Sequence, residues 1–271
     1  MKISSRAHGE GPVLVFLHGY AGSVLHWDSV VEDLKKQFTC VVVNYSHFYM
    51  GRTALSFADQ AKLLADWIEE KFPLQKVHLI GMSYGAALSW AIGITHPHLV
   101  DRVVFVNPMP PAPARHFAMA GMKIFFRLPL GRKVVLAFLS TYFGRNFLKK
   151  CAHIFRLQTR RETKRLDNLE GKKKLFVVHL FNNFAWILKN ENWKRWQESL
   201  RKDWKHQSMI IFDDKDPLFE KPCYSDFVDL LRCQEKVITS GAGHIATQNL
   251  PHLISQAVAN FLLRQNKKEA A

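Results

Sequence analysis

Short β-branched and apolar runs alternate with stretches of helical periodicity over the first hundred or so residues. That alternation restricts the chain to few folds. Val13–Leu17 (VLVFL), Thr39–Tyr45 (TCVVVNY), Val77–Ile80 and Arg102–Val106 read as buried strands. Between them, Val24–Lys36, Ala54–Phe72 and Tyr84–His96 space their apolar residues as helices do, with Pro73 and Pro97 ending the second and third. Strands and helices in this order require right-handed crossovers, hence a mostly parallel sheet flanked by helices. Pro108, Pro110, Pro111 and Pro113 break the alternation, and residues 109–206 read as helical, aromatic and basic. Strand character returns at Ser208–Phe212 and Glu235–Ser240, followed by a helix near Ala246–Leu263. The expectation is one α/β core domain, 1–108 and 207–271, carrying a helical lid over 109–206.

The composition fits that division. Of 271 residues, 48% are hydrophobic and 23% charged, enough to bury a sizeable core without any bias towards disorder. The start, MKISSRAHGEGP, has no apolar h-region, so no secretory signal is expected. The longest uncharged run in the apolar middle, Leu175–Leu188, has fourteen residues, short of the roughly 18 that suggest a membrane span. Cys40, Cys151, Cys223 and Cys233 are scattered without metal-ligand spacing and read as reduced thiols of a cytoplasmic protein.

The stretch Gly81-Met82-Ser83-Tyr84-Gly85 lies between an apolar run and a helix rich in small residues. G-x-S-x-G is a weak signal alone and a strong one in strand–turn–helix context. A serine on so sharp a turn is lifted clear of the sheet edge. Side chains two residues to either side would collide there, which accounts for Gly81 and Gly85. A serine hydroxyl is a poor nucleophile at neutral pH and needs a base. Of the 13 histidines, His244 in SGAGHIATQNLP follows the last strand and precedes the last helix. It therefore falls at the carboxyl edge of a parallel sheet, as Ser83 does. His18, in LHGY, reads as a residue that holds its own tight loop. An acid must orient the imidazole, and FDDKDPL offers Asp213, Asp214 and Asp216. Asp216, before Pro217 and past the end of the strand, is the expected one; Asp214 and Asp213 are the alternatives, otherwise ordinary solvated loop charge.

The order Ser83, Asp216, His244, together with HGEGPVLVFLHGYAGS, GMSYG, DKDP and GAGHIATQNLP, resembles the α/β-hydrolase fold superfamily, in particular its esterase and lipase-like serine hydrolases. The resemblance covers Gly9–Met109 and Ser208–Leu263. It implies an oxyanion hole built from the backbone N–H of Tyr84 and of Tyr20, with Ala21 as the alternative to Tyr20. It implies no metal or organic cofactor. Serine at the turn excludes epoxide hydrolase and haloalkane dehalogenase relatives, which carry aspartate there, and leaves esterase, thioesterase and carbon–carbon hydrolase chemistry open. Asn44 departs from the family pattern where Asp is frequent, and Asp213 departs where Gly is frequent. The short N-terminus suggests a sheet without its first antiparallel strand.

The resemblance implies a serine hydrolase of a carboxylic ester or thioester with an apolar acyl group. The rival reading is a non-catalytic ligand or partner binder on the same fold. Met109–His206 holds 22 Lys+Arg against 6 Asp+Glu, a surplus of 16, whereas the remainder holds 16 against 17. Such a surplus attracts acidic partners. The candidates are an acidic acyl carrier protein presenting a carrier-bound ester and an anionic membrane surface, which would place the protein peripherally at a membrane. Nucleic acid ranks below both, because no groove-reading motif is present. Phe117–Phe143, with Pro129 and Gly131 dividing two helices, and the Trp193, Trp196, Leu200, Trp204 series either pack the lid onto the core or line an acyl tunnel.

Overall fold

The computed structural model describes residues 3–20, 22–50, 55–118, 137, 141 and 173–264. The expectations for Ala21, for the proposed helices of Phe117–Phe143 beyond Ala118 and for the basic run Arg160–Arg165 lie outside the described residues. The strands are β1 Ser4–His8, β2 Val13–Leu17, β3 Thr39–Asn44, β4 Val77–Met82, β5 Val100–Val106, β6 Gln207–Asp213 and β7 Glu235–Thr239. They form one sheet in the order β1-β3-β2-β4-β5-β6-β7, parallel throughout except for the β1–β3 pair. The first antiparallel strand is therefore present, contrary to the expectation from the short N-terminus. All five residues of β1 are exposed, so it carries no burial pattern that sequence periodicity could reveal. Backbone pairing to β3, from Ser4 opposite Asn44 to His8 opposite Cys40, defines it instead.

The helices are α1 Asp28–Leu34, α2 His47–Met50, α3 Phe57–Lys71, α4 Tyr84–Thr95, α5 Lys173–Asn190, α6 Trp193–Asp203, α7 Lys221–Leu231, α8 Ala246–Asn249 and α9 Pro251–Leu263. Alternate residues of each central strand face opposite layers. Val15, Leu17, Val103, Phe105, Ile210 and Phe212 pack with α3, α4 and α7, while Leu14, Phe16, Val104, Val106, Met209 and Ile211 pack with α1 and α9. Burial on both faces explains why these strands read as continuous apolar runs. At the start of α3, Ser56 Oγ accepts from the Asp59 amide at 3.0 Å, satisfying one of the donors that every helix start leaves unpaired.

Helix α6 belongs to the expected lid but packs on the core. Trp193 and Trp196 each stand 5.4 Å from Phe57, Trp196 also 5.4 Å from Trp90, and Trp204, which follows the helix, 5.8 Å from Phe105. These tryptophans fill the layer formed by α3, α4 and β5. No helix among the described residues is long and apolar enough to cross a membrane.

The last helix is fixed from inside the sheet. Arg102 on β5 is buried, and its guanidinium donates to the carbonyls of Phe261 at 2.7 Å, Leu262 at 3.2 Å and Arg264 at 2.8 Å. A cation here satisfies the carbonyls that a helix end leaves bare and opposes the negative end of its dipole. Arg102→Met should therefore lower stability by about 2–4 kcal/mol, read as the urea unfolding midpoint, because two buried carbonyls and the part-buried one of Arg264 lose a charged donor.

Candidate active site

The connections leaving β2 and β4 run in opposite directions across the sheet, and a crevice opens at such a switch point beside the carboxyl ends of the strands. Two loops meet there. Ser83 follows β4 at φ 53°, ψ −115°, a conformation that costs a non-glycine residue about 1–3 kcal/mol. Its backbone is clamped on both sides: the Ser83 amide donates to the Val106 carbonyl, and the Met109 amide donates to the Ser83 carbonyl, each at 3.0 Å. The neighbouring glycines are steric necessities. A Cβ on Gly81 would come within 2.5 Å of the Ala86 backbone, and one on Gly85 within 2.1 Å of the Leu17 carbonyl oxygen. Helix α4 thus starts against the carboxyl end of β2. Gly19 stands beside Ser83, a Cβ there lying 3.3 Å from the serine Cβ.

His244 and Asp216 are brought into direct contact. The imidazole Nδ1 lies 2.7 Å from Asp216 Oδ2, with both side chains almost fully enclosed. Asp216 Oδ1 accepts from the Leu218 amide at 2.7 Å, and Oδ2 also accepts from the Tyr224 hydroxyl at 2.5 Å. Ser83 and His244 are tied to one segment, Val106–Met109. Asn107, buried at φ 41°, donates from Nδ2 to the carbonyls of Gly243 at 2.9 Å and His244 at 2.8 Å, and its Oδ1 accepts from the Asp213 amide at 2.8 Å. Sequence reasoning missed Asn107. The available signal was an asparagine, a residue that tolerates positive φ, directly after a strand and before a proline.

Asp213 is not solvated loop charge. It is fully buried, and its carboxylate accepts from the amides of Lys215 at 3.0 Å, Gly241 at 3.3 Å and Ala242 at 2.7 Å and from the Thr239 hydroxyl at 2.9 Å. It joins the end of β6 to the loop that carries His244, which explains an acid in a place where glycine is frequent. Asp214 accepts no such set, and its Oδ1 is buried without a partner among the described residues.

On the β2 side, His18 Nδ1 lies 2.9 Å from the Gly19 carbonyl and the ring stacks on Tyr45 at 4.2 Å, consistent with holding its own loop. The Tyr45 hydroxyl donates to the His18 carbonyl. Tyr20 turns its ring into an aromatic group, 4.3 Å from Tyr49, 4.5 Å from Phe184 and 5.2 Å from Tyr84. The Tyr20 hydroxyl donates to the Leu180 carbonyl of α5 at 2.9 Å. Burial, reinforced by Tyr49, pushes the Tyr20 phenol well above its ordinary range, so it stays a neutral donor. The backbone N–H of Tyr84, first residue of α4, has no acceptor within its own helix and sits at the positive end of the helix dipole. Among the described residues, no group of His, Cys, Asp and Glu could hold a metal ion.

The alpha/beta hydrolase fold family model matches residues 12–247. Curated relatives include epoxide hydrolase 3 of Mus musculus, 28% identical over 128 residues, which are 45% of this chain and 35% of that protein. Another is a pimeloyl-[acyl-carrier protein] methyl ester esterase of Vibrio campbellii, 30% identical over 39% of this chain and 40% of that protein. The chain thus spans less than half the length of these relatives. Among solved structures, a haloalkane dehalogenase from Bradyrhizobium elkani superposes with a TM-score of 0.73 at 17% identity, covering 96% of this chain and 93% of that one. At that identity the likeness is one of fold.

The buried carboxylate of Asp213 makes a separable prediction. Asp213→Ala should cost about 3 kcal/mol or more of stability and accelerate hydrogen exchange at the Ala242 amide, since that buried amide, the buried Thr239 hydroxyl and two further amides lose their acceptor. Asp214→Ala should change stability by less than about 1 kcal/mol in the same unfolding experiment.

Proposed function

This chain belongs to the alpha/beta hydrolase fold family, and on that premise we propose that it is a serine hydrolase of carboxylic esters or thioesters bearing an apolar acyl group. The observation that carries the reading is the enclosed His244–Asp216 hydrogen bond of 2.7 Å, on loops tied to the same Val106–Met109 segment as the strained Ser83 turn. Ser83 Oγ attacks the acyl carbon while His244 takes its proton. Asp216 holds the imidazole in the tautomer that leaves Nε2 free to act and stabilises the imidazolium. The amides of Tyr84 and Tyr20 receive the oxyanion, with the N-terminus of α4 adding its dipole. His244 then protonates the leaving alcohol or thiol, and water attacks the acyl-enzyme by the same route in reverse.

Ser83→Ala should abolish ester hydrolysis and labelling by a fluorophosphonate probe while leaving the unfolding transition unchanged. Asp216→Asn should reduce turnover by roughly 10⁴, through loss of the productive tautomer. Undiminished hydrolysis of p-nitrophenyl esters by the purified Ser83→Ala protein would refute the reading.

For the natural substrate we propose an acyl ester presented on an acidic carrier protein. Two observations favour it: the surplus of 16 basic residues over Met109–His206, and a relative whose name specifies an acyl-carrier-protein methyl ester. Opposite charge raises encounter rates, and salt screens the attraction within about 8–10 Å near physiological ionic strength. The expected result is a kcat/KM for carrier-bound ester above that for the free ester, with the advantage shrinking as salt rises and on changing Arg160, Arg161, Lys164 and Arg165 together to Ser. Equal kcat/KM for both esters at low salt, with sedimentation on anionic but not zwitterionic vesicles, would assign the charge to a membrane surface instead.

A further inference from the structure

Tyr224 lies on α7, outside every motif that identifies the site. Its side chain is fully buried and stacks on Phe212 at 4.9 Å. Packing alone would be met by phenylalanine, yet a hydroxyl is present, and a buried hydroxyl requires an acceptor. The acceptor it takes is Asp216 Oδ2, at 2.5 Å, the same oxygen that meets His244 Nδ1 at 2.7 Å. An ionised carboxylate only accepts, so the phenol is the donor.

The torsion that turns a carboxylate is broad and twofold, and by itself it does not fix the plane presented to a neighbour. Here the Leu218 amide holds Oδ1 at 2.7 Å while the Tyr224 hydroxyl holds Oδ2. Rotation out of that plane would break both bonds around a side chain that is itself fully enclosed, a costly loss. We propose that Tyr224 is a positioning residue that, with the Leu218 amide, fixes the plane of the Asp216 carboxylate so that one oxygen is held towards His244. The proposal rests on the serine hydrolase reading above. Burial first, and then the negative charge of Asp216, push the Tyr224 phenol well above its ordinary range, with Cys223 and Asp213 contributing in the same direction. The hydroxyl therefore keeps its proton and remains a donor throughout the pH range in which a protein of this kind would work.

The test is a double-mutant cycle of Tyr224→Phe and Asp216→Asn, read as kcat and KM on a p-nitrophenyl ester and as the rate at which a fluorophosphonate labels Ser83. Tyr224→Phe keeps the ring against Phe212. Alone it should lower kcat and the labelling rate about 10-fold with KM nearly unchanged, and in the Asp216→Asn background it should cause no further loss. An equal fractional loss in both backgrounds, or no loss in either, would overturn the proposal. Should the Phe variant fail to fold, a fluorinated tyrosine at 224 keeps the shape and makes the hydroxyl more acidic; a labelling rate unchanged from wild type would overturn the proposal equally. A wild-type protein that is not labelled at Ser83 would instead remove the serine hydrolase reading and the role of Tyr224 with it, whereas a labelled wild type beside an unaffected variant would remove only the role of Tyr224.

Discussion

The close approach of helix α4 to the end of strand β2 is the constraint on which the rest of this structure depends. Gly85 sits so near the Leu17 carbonyl that no Cβ fits between them, and Gly81 stands too close to the first turn of α4 for a Cβ as well. That proximity leaves Ser83 no ordinary backbone conformation, so its positive φ is held by what surrounds it. Local strain of this kind persists only where neighbouring structure over-determines the geometry. Here the surroundings are a central strand buried on both faces and two backbone hydrogen bonds, from Ser83 to Val106 and from Met109 to Ser83.

The same segment organises the other candidate residues. Asn107 is the residue through which the end of β5, the end of β6 and the His244 loop are joined, and Asp213 adds a second link between the latter two. Both are polar groups in an apolar core, where a satisfied hydrogen bond is strong and an unsatisfied one expensive. Such groups fix one arrangement of the loops because every alternative leaves a buried donor or acceptor bare. Asp216 follows the same logic at closer range, with three donors on two oxygens.

The described ends of the 109–206 segment are bonded to the loops of the candidate site. On entry, the Ala118 amide donates to the Leu218 carbonyl at 2.8 Å and the Glu220 amide to the His116 carbonyl at 3.0 Å, so the segment begins on the loop that carries Asp216. Phe117 and Phe219 stack there at 5.6 Å, and Phe219 stands 5.9 Å from the His244 ring. On return, α5 is held through its Leu180 carbonyl by Tyr20 and through the Asn183 side chain, which donates to the Tyr49 carbonyl at 2.8 Å. The described ends of this segment therefore share hydrogen bonds with the Asp216 loop on one side and with Tyr20 and Tyr49 on the other, and a displacement of α5 would be felt at Tyr20.

Patterns carried by neighbouring residues were legible in the sequence. Strands buried on both faces appear as unbroken apolar runs, Pro73 and Pro97 mark helix ends, and glycines flanking a serine between a strand and a helix announce a tight turn with a steric reason for each residue. Ser83, Asp216 and His244 each follow the end of a strand, and a parallel sheet delivers all its carboxyl ends to one edge. What only the tertiary structure decided involves groups far apart in the chain. Strand β1 is wholly exposed and is defined by pairing with β3, so no periodicity betrays it. Asp213 and Asp214 are indistinguishable as sequence, and only burial and the amides of the 241–242 turn separate a structural acid from its neighbour. Asn107 reaches His244 across 137 residues and Tyr224 reaches Asp216 across 8, through individual side-chain hydrogen bonds, and such bonds leave no repeating trace in a sequence. Periodicity reports what a residue does with the layer it packs against; where one polar atom meets another is settled only when the layers close.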